Sequence, residues 1–110
     1  MRLPNARRAV VDVTKLRAYC LNPDHPRGRH KARVFASTLG ITAESAEDLR
    51  EALLAAAIKG QAVATETDEY GQRYVLDYTV AGPAGSAVVR SMWIVRRGEN
   101  FPRLTSCYVL

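Results

Sequence analysis

Residues 25–35 read HPRGRHKARVF and gather both histidines of the chain, His25 and His30, with four cations, Arg27, Arg29, Lys31 and Arg33. Such a density of positive charge suits a phosphate, which arginine grips bidentately and lysine meets as a point charge. An imidazole among them can move protons, because its charge changes near neutral pH. RNA cleavage without a metal needs these parts: a base for the 2′-OH proton, an acid for the departing 5′-oxygen, and cations round the phosphate. His30, beside Arg29 and Lys31, is the candidate acid/base, whereas His25, between Asp24 and Pro26, reads as closing a turn.

The C-terminal third supplies a second group: Arg90, Arg96, Arg97, Arg103, Thr105, Ser106 and Tyr108. Arg96 and Arg103 flank the loop GENFP and should lie near one another on adjacent strands. The candidate catalytic residues are therefore His30, Lys31, Arg103 and Thr105, with Arg27, Arg29, Arg33, Arg96 and Tyr108 as phosphate or RNA contacts. A solvated helix face and the polar side of a sheet would use the same residue types, so that alternative stands beside the chemical one. The two histidines have no third ligand nearby, and Cys20 and Cys107 match no metal spacing, so no metal or other cofactor is expected. The cysteines read as two free buried thiols, with one disulfide as the alternative.

Charge is unevenly spread. Residues 1–33 hold nine Lys/Arg against two Asp/Glu, residues 34–81 three against eight, and residues 82–110 four against one, within a net charge of +5. A fold uniting the two ends would carry a basic face, attractive to RNA or to an acidic protein. No apolar run approaches a membrane span, and residues 1–11 lack the layout of a secretory signal, so a cytoplasmic protein with no membrane association is expected.

These groups must be positioned by elements whose periods are visible. Residues 1–10 read as an arm. Asp12 can cap a helix over VTKLRAYCL, and NPDHP ends it. A second helix runs from Gly28 to about Leu39, with Ala32, Phe35, Ala36 and Leu39 as its apolar stripe and Gly40 as its stop. On it Arg29 and Arg33 share one flank, Lys31 takes the other and His30 points outward, near an N-terminus whose free amides would help seat an anion. Ser45 and Asp48 form a loose capping box for a third helix ending at Gly60.

From Gln61 the period changes to two. The stretch AVATETDEYGQRYVLDYTV holds two strands, GPAG is a turn, SAVVRSMWIVRR is a central strand, and RLTSCYVL is the last. Trp93 and most tyrosines read as core, and Tyr70, at a turn, as exposed. The expectation is one α+β domain, 1–110, with three N-terminal helices on one face of a four-stranded antiparallel meander.

The segments KLRAYCLNPDHPRGRHKARVF, YGQRYVLDYTV, WIVR and FPRLTSCYVL resemble an uncharacterised family of small bacterial domains, found alone or at the C-termini of polymorphic toxins. Toxin-fused members keep a lysine and an alanine at the positions of Lys31 and Ala32 and often lack a histidine at that of His30. That moves weight from His30 to Lys31 and the strand arginines. The architecture is similar to the barnase/EndoU/colicin/RelE-like ribonuclease superfamily, which implies metal-independent RNA cleavage from a basic cleft on the sheet. The expected function is accordingly a toxin-type ribonuclease. The alternative is a non-catalytic module of a toxin–antitoxin-like pair that docks an acidic antitoxin or immunity-like protein, or nucleic acid.

Overall fold

The computed structural model describes residues 1–110. Asp12 opens the first helix: its Oδ1 accepts the amides of Thr14 at 2.9 Å and Lys15 at 3.4 Å. Those donors have no partner inside a helix, so a side-chain acceptor there fixes the start. Val13–Lys15 is α-helical and widens into a π-turn over Leu16–Cys20, the two forming α1. The same widening occurs in α2, where Arg29–Val34 continues as a π-turn over Phe35–Leu39. Gly40, at φ 70°, closes α2 in the left-handed region that glycine enters without strain. Ala32, Phe35 and Leu39 are buried as their spacing predicts, while Ala36 of the same stripe is exposed at the edge of a shallow cavity.

Helix α3 spans Ala46–Lys59. The expected Ser45 capping box is not formed. A 3-10 turn, Ala43–Ser45, leads into the helix and holds Ser45 at φ −99°, ψ 16°, away from the extended backbone that capping requires. Glu47 and Asp48 in the first turn and Lys59 in the last still match the helix dipole.

Four strands follow, β1 (Ala62–Asp68), β2 (Gly71–Gly82), β3 (Gly85–Arg96) and β4 (Pro102–Val109), antiparallel throughout and ordered β1-β2-β3-β4. Fold class and meander are those expected, three helices packed on one face of the sheet. Strand β4 begins one residue earlier than the expected Arg103. Alternation sends Leu76, Val89, Trp93, Leu104 and Cys107 into the helix-covered face, where they pack with Leu16, Phe35, Leu39, Leu49 and Leu53. Arg73, Val75, Asp77, Arg90, Met92 and Tyr108 stand on the other face, which no helix covers. Tyr70 is 63% exposed and Trp93 only 1%.

Two contacts fix the frame of the site. The tip of the β2–β3 hairpin docks on the end of α2, with the Ala84 amide donating to the Leu39 carbonyl at 3.1 Å. A Cβ on Gly82 would lie 2.2 Å from that carbonyl oxygen, so only glycine lets the chains come so close.

The N-terminal arm is more structured than its sequence suggests. Met1 pairs with Ala62 at the start of β1, a 3-10 turn spans Ala6–Arg8, and Val10 bridges parallel to Arg103 on β4. The arm thus protects the outer edge of β4 around Arg103 with backbone hydrogen bonds, Val10 to Pro102 at 2.9 Å and Leu104 to Val10 at 3.0 Å.

Candidate functional site

The basic first third of the chain meets the basic C-terminal third along β4, at two places. At one end of the strand, the guanidinium groups of Arg8 and Arg103 lie over the Phe101 ring, 5.2 and 5.0 Å from its centroid. Arg8 also donates to Asn100 Oδ1 at 2.9 Å. At the other end, the Lys31 ammonium lies 5.0 Å from the centre of the Tyr108 ring. Tyr108 is paired across the ladder with Arg90, and Arg90 with Asp77.

Each cation is held differently. Ala32 and Phe35 bury the inner face of α2, which leaves Lys31 on the flank turned toward β4. No carboxylate pairs with Lys31. Arg90 is gripped at both ends of its fork by Asp77, Nε to Oδ1 at 2.8 Å and Nη2 to Oδ2 at 2.9 Å. Asp77 first, and the Tyr108 hydroxyl second, raise the Arg90 pKa above its ordinary value. Arg90 in turn holds the Asp77 carboxyl below the usual carboxylate range. A guanidinium carries five N–H donors, so bidentate pairing with one carboxylate leaves three for Tyr108 or a ligand. The row Lys31–Tyr108–Arg90–Asp77 therefore runs from the helix flank onto the uncovered sheet face.

Arg103 makes the same two-pronged contact with Glu99, both bonds 2.9 Å, and Arg96 adds to the field that keeps Glu99 ionised. Arg96, Glu99 and Arg103 are thus neighbours, as expected of residues flanking one turn. Thr105 is the extra residue of a β-bulge opposite Met92, and its hydroxyl donates to the Met92 carbonyl at 3.1 Å. It lines a depression on the uncovered face with Thr65, Arg73, Val75 and Met92.

The remaining histidine and arginine candidates lie elsewhere on α2 and the turn before it. His30 is exposed, and at about 100° per residue it points away from Ala32 and the core. Arg33 borders a cavity of about 410 Å³ with Leu21, Pro23, Ala36 and Thr42, on the flank opposite Lys31, and Arg27 and Arg29 are exposed. Two of the amides expected to cradle an anion at the start of α2, those of Gly28 and Arg29, are already taken, as is that of Arg27 in the turn before it. His25 Nδ1 accepts from Arg27 and Gly28, both at 3.1 Å, and the His25 carbonyl accepts from Arg29 at 2.9 Å. His25 closes the turn from within, braced edge-on by Tyr19 at 4.5 Å, so the amides of Arg27, Gly28 and Arg29 are not free for an anion.

Asp77 and Arg90 carry no phosphate-binding signal of their own in the sequence, Asp77 standing among other acids and Arg90 as one strand arginine among several. A signal for their pairing exists there. Once GPAG is read as a two-residue hairpin turn closed by the pair Gly82 and Gly85, positions 77 and 90 must face each other, five residues back on either side. Nowhere do three His, Cys, Asp or Glu side chains come together as a metal ion would need. No helix is long and apolar enough to cross a membrane.

The chain belongs to the family DUF6883, a domain of unknown function, whose model matches residues 2–110. No curated protein matches it. Among solved structures it is similar to a chain of the "Contact-dependent growth inhibition toxin - immunity protein complex from Klebsiella pneumoniae 342". The TM-score is 0.71 at 19% identity, over 92% of this chain and 99% of that one, a likeness of fold along almost the whole of both.

Proposed function

We propose that this domain is a toxin-type ribonuclease that takes RNA across the uncovered sheet face beside β4 and cleaves it without a metal. The observation that carries the reading is the row Lys31–Tyr108–Arg90, where cations from both basic segments flank one phenol at the border of an open face. The fold shared with a chain of a toxin–immunity complex supports the toxin class. In the reaction the 2′-oxygen attacks the adjacent phosphorus and gives up its proton to a solvent water, the P–O5′ bond breaks, and the 5′-oxygen leaves and takes a proton, producing a 2′,3′-cyclic phosphate and a 5′-hydroxyl. Lys31 and Arg90 would stabilise the charge gathering on the phosphoryl oxygens, with the Tyr108 hydroxyl as proton donor to the leaving group. Asp77 would hold Arg90 in place. His30, Arg103 and Thr105 would serve RNA bound beyond the scissile bond.

The test is incubation of purified protein with end-labelled RNA in EDTA, scoring cyclic-phosphate ends. Lys31→Ala should slow cleavage by roughly 10²-fold or more, the scale for losing one group that stabilises transition-state charge. Intact RNA with wild-type protein, or equal rates for wild type and Lys31→Ala, overturns the proposal. A second reading, a non-catalytic module docking an acidic immunity-like protein, is favoured by the net charge of +5 and by the partner present in the similar structure. Salt-sensitive binding to an acidic protein with no turnover of RNA would select it.

A further inference from the structure

The widest cavity of the molecule takes no part in the row Lys31–Tyr108–Arg90. It measures about 530 Å³ and opens between the N-terminal arm and the end of α3. Arg2, Arg7 and Arg8, all exposed, line it together with the apolar side chains of Leu3, Ala6 and Ile58.

The arm holds these cations in a fixed frame. Leu3 is buried in the core, Met1 pairs with Ala62, and Val10 bridges to β4, so the arm is anchored at both ends. Between the anchors Asn5 turns the chain in the left-handed region, at φ 50° and ψ 41°, which asparagine tolerates better than most residues. Its side chain donates to the Asn100 carbonyl. Arg2 donates to the Ile58 carbonyl at 2.5 Å, one of those that the end of a helix leaves without an internal partner. Arg8 is placed by Asn100 Oδ1 and by the Phe101 ring.

None of the three arginines pairs with a carboxylate. Glu99, the acid next to Asn100, has both oxygens on Arg103. Three like charges round one cavity repel each other, and no acid of the fold offsets them. A guanidinium that spends one N–H on a carbonyl keeps four, enough for a bidentate grip on phosphate. The cavity lies within the roughly 300–1,000 Å³ that small ligands fill. An acidic side chain would satisfy the charge and leave the apolar lining bare, whereas a nucleotide uses both, its base having a face that packs on apolar surface.

We infer that Arg2, Arg7 and Arg8 form a second phosphate site, which holds one nucleotide of a single-stranded RNA away from the scissile bond, a step that rests on the ribonuclease reading for the identity of the ligand. The phosphate sits on the guanidinium groups and the base against Ile58, which is 39% exposed. Arg8 and Arg103 share the Phe101 ring, so the arm continues the line of cations along β4. From Arg103 to Tyr108 that strand runs roughly 15 Å, at about 3.3 Å per residue. An RNA seated at both ends is anchored twice, and the second contact forms at the high effective concentration that the first provides.

The probe is a labelled single-stranded 2′-O-methyl RNA of about 12 nucleotides, long enough to span both places. It has no free 2′-hydroxyl, so it is bound without being cut. In anisotropy titrations with the full chain, Arg7→Gln should weaken binding roughly tenfold, the scale for losing a charge-assisted hydrogen bond. It should also take about 0.7 from the salt slope, over and above the share of the β4 cations. Arg7→Lys should keep the slope and lose only part of the affinity. Arg7 is exposed, so both variants should keep the wild-type melting midpoint.

Equal affinity of wild type and Arg7→Gln would overturn the inference. So would displacement of the RNA by poly-glutamate at equal charge, the mark of a surface for an acidic protein. Cleavage of ordinary RNA by wild type, with affinity unmoved in Arg7→Gln, removes the arm site and leaves the ribonuclease reading standing. Binding of the uncuttable RNA that depends on Arg7, with ordinary RNA left intact, does the reverse.

Discussion

Ser91 shows how a single polar residue earns a place in an apolar core. It is 1% exposed, its hydroxyl donates to the Leu76 carbonyl at 2.9 Å, and its oxygen accepts the Trp93 indole N–H at 2.9 Å. Trp93 could not be fully buried without such an acceptor, because an unpaired buried N–H costs about 1–3 kcal/mol. Ser91→Ala should therefore destabilise the protein by about 1–3 kcal/mol in a urea titration, and a loss below about 0.5 kcal/mol would show that the indole has another partner. The sequence marks Trp93 as core through its strand period, but nothing in it assigns Ser91 this task. Two residues apart on one strand, they meet because alternation sends both to the same face.

Among the elements, the turns and strands of the sheet are pinned by three arginine–carboxylate pairs, Arg73–Asp68, Arg90–Asp77 and Arg103–Glu99. Each arginine, through its hydrogen bond first, lowers the pKa of its carboxylate. A carboxyl whose folded pKa lies below its unfolded value stabilises the fold above that unfolded value and loses the contribution as pH falls through the folded one. With unfolded values of about 3.9 for Asp and 4.3 for Glu, stability should hold from neutral pH to about 5 and decline below about 4. The pairs are partly exposed, so salt should shrink the effect. Urea midpoints measured across this range should fall less steeply in acid for Asp77→Asn than for the wild type. An unchanged acid limb would mean that the pair adds nothing.

The register that makes these pairs was readable once the hairpin turn was identified, since a two-residue turn determines every facing position. The β-bulge at Thr105 was not, and it shifts the pairing of everything before Ser106 on β4. The helix boundaries were readable to within a few residues, whereas the π-turns were not. A widened turn is selected by packing against the sheet rather than by local preference.

For the whole molecule, the uneven charge of the chain matters more than its sum. The arm and α2 lay the cations of the first third against β4, so that Arg8 and Arg103 share Phe101 while Lys31 meets Tyr108. If Lys31, Arg90 and Arg103 each form one ion pair with the phosphates of a single strand, Lys31 and Arg90 at the scissile one, the logarithm of the RNA association constant should fall with that of salt at a slope near −2. Fluorescence anisotropy with labelled RNA would measure it, and Lys31→Ala should flatten the slope by about 0.7. Binding indifferent to salt, or a slope unmoved in Lys31→Ala, would remove Lys31 from the contact surface.

The sequence by itself determined the class of fold and the order of its elements, because apolar periods of 3.6 and 2, glycine stops and turn residues are local properties that act before any long-range contact forms. It also determined that both ends of the chain are basic. Only the tertiary structure decided which cations meet. Lys31 reaches Tyr108 while His30, one residue away, faces solvent, because 100° of helical turn separates a flank packed beside a strand from one that is not. It alone brought Cys20 and Cys107, from distant parts of the chain, into one core, and gave Arg90 and Arg103 carboxylate partners while leaving Lys31 without one. Charge in a sequence can be counted, but pairing depends on which surfaces the core brings within reach.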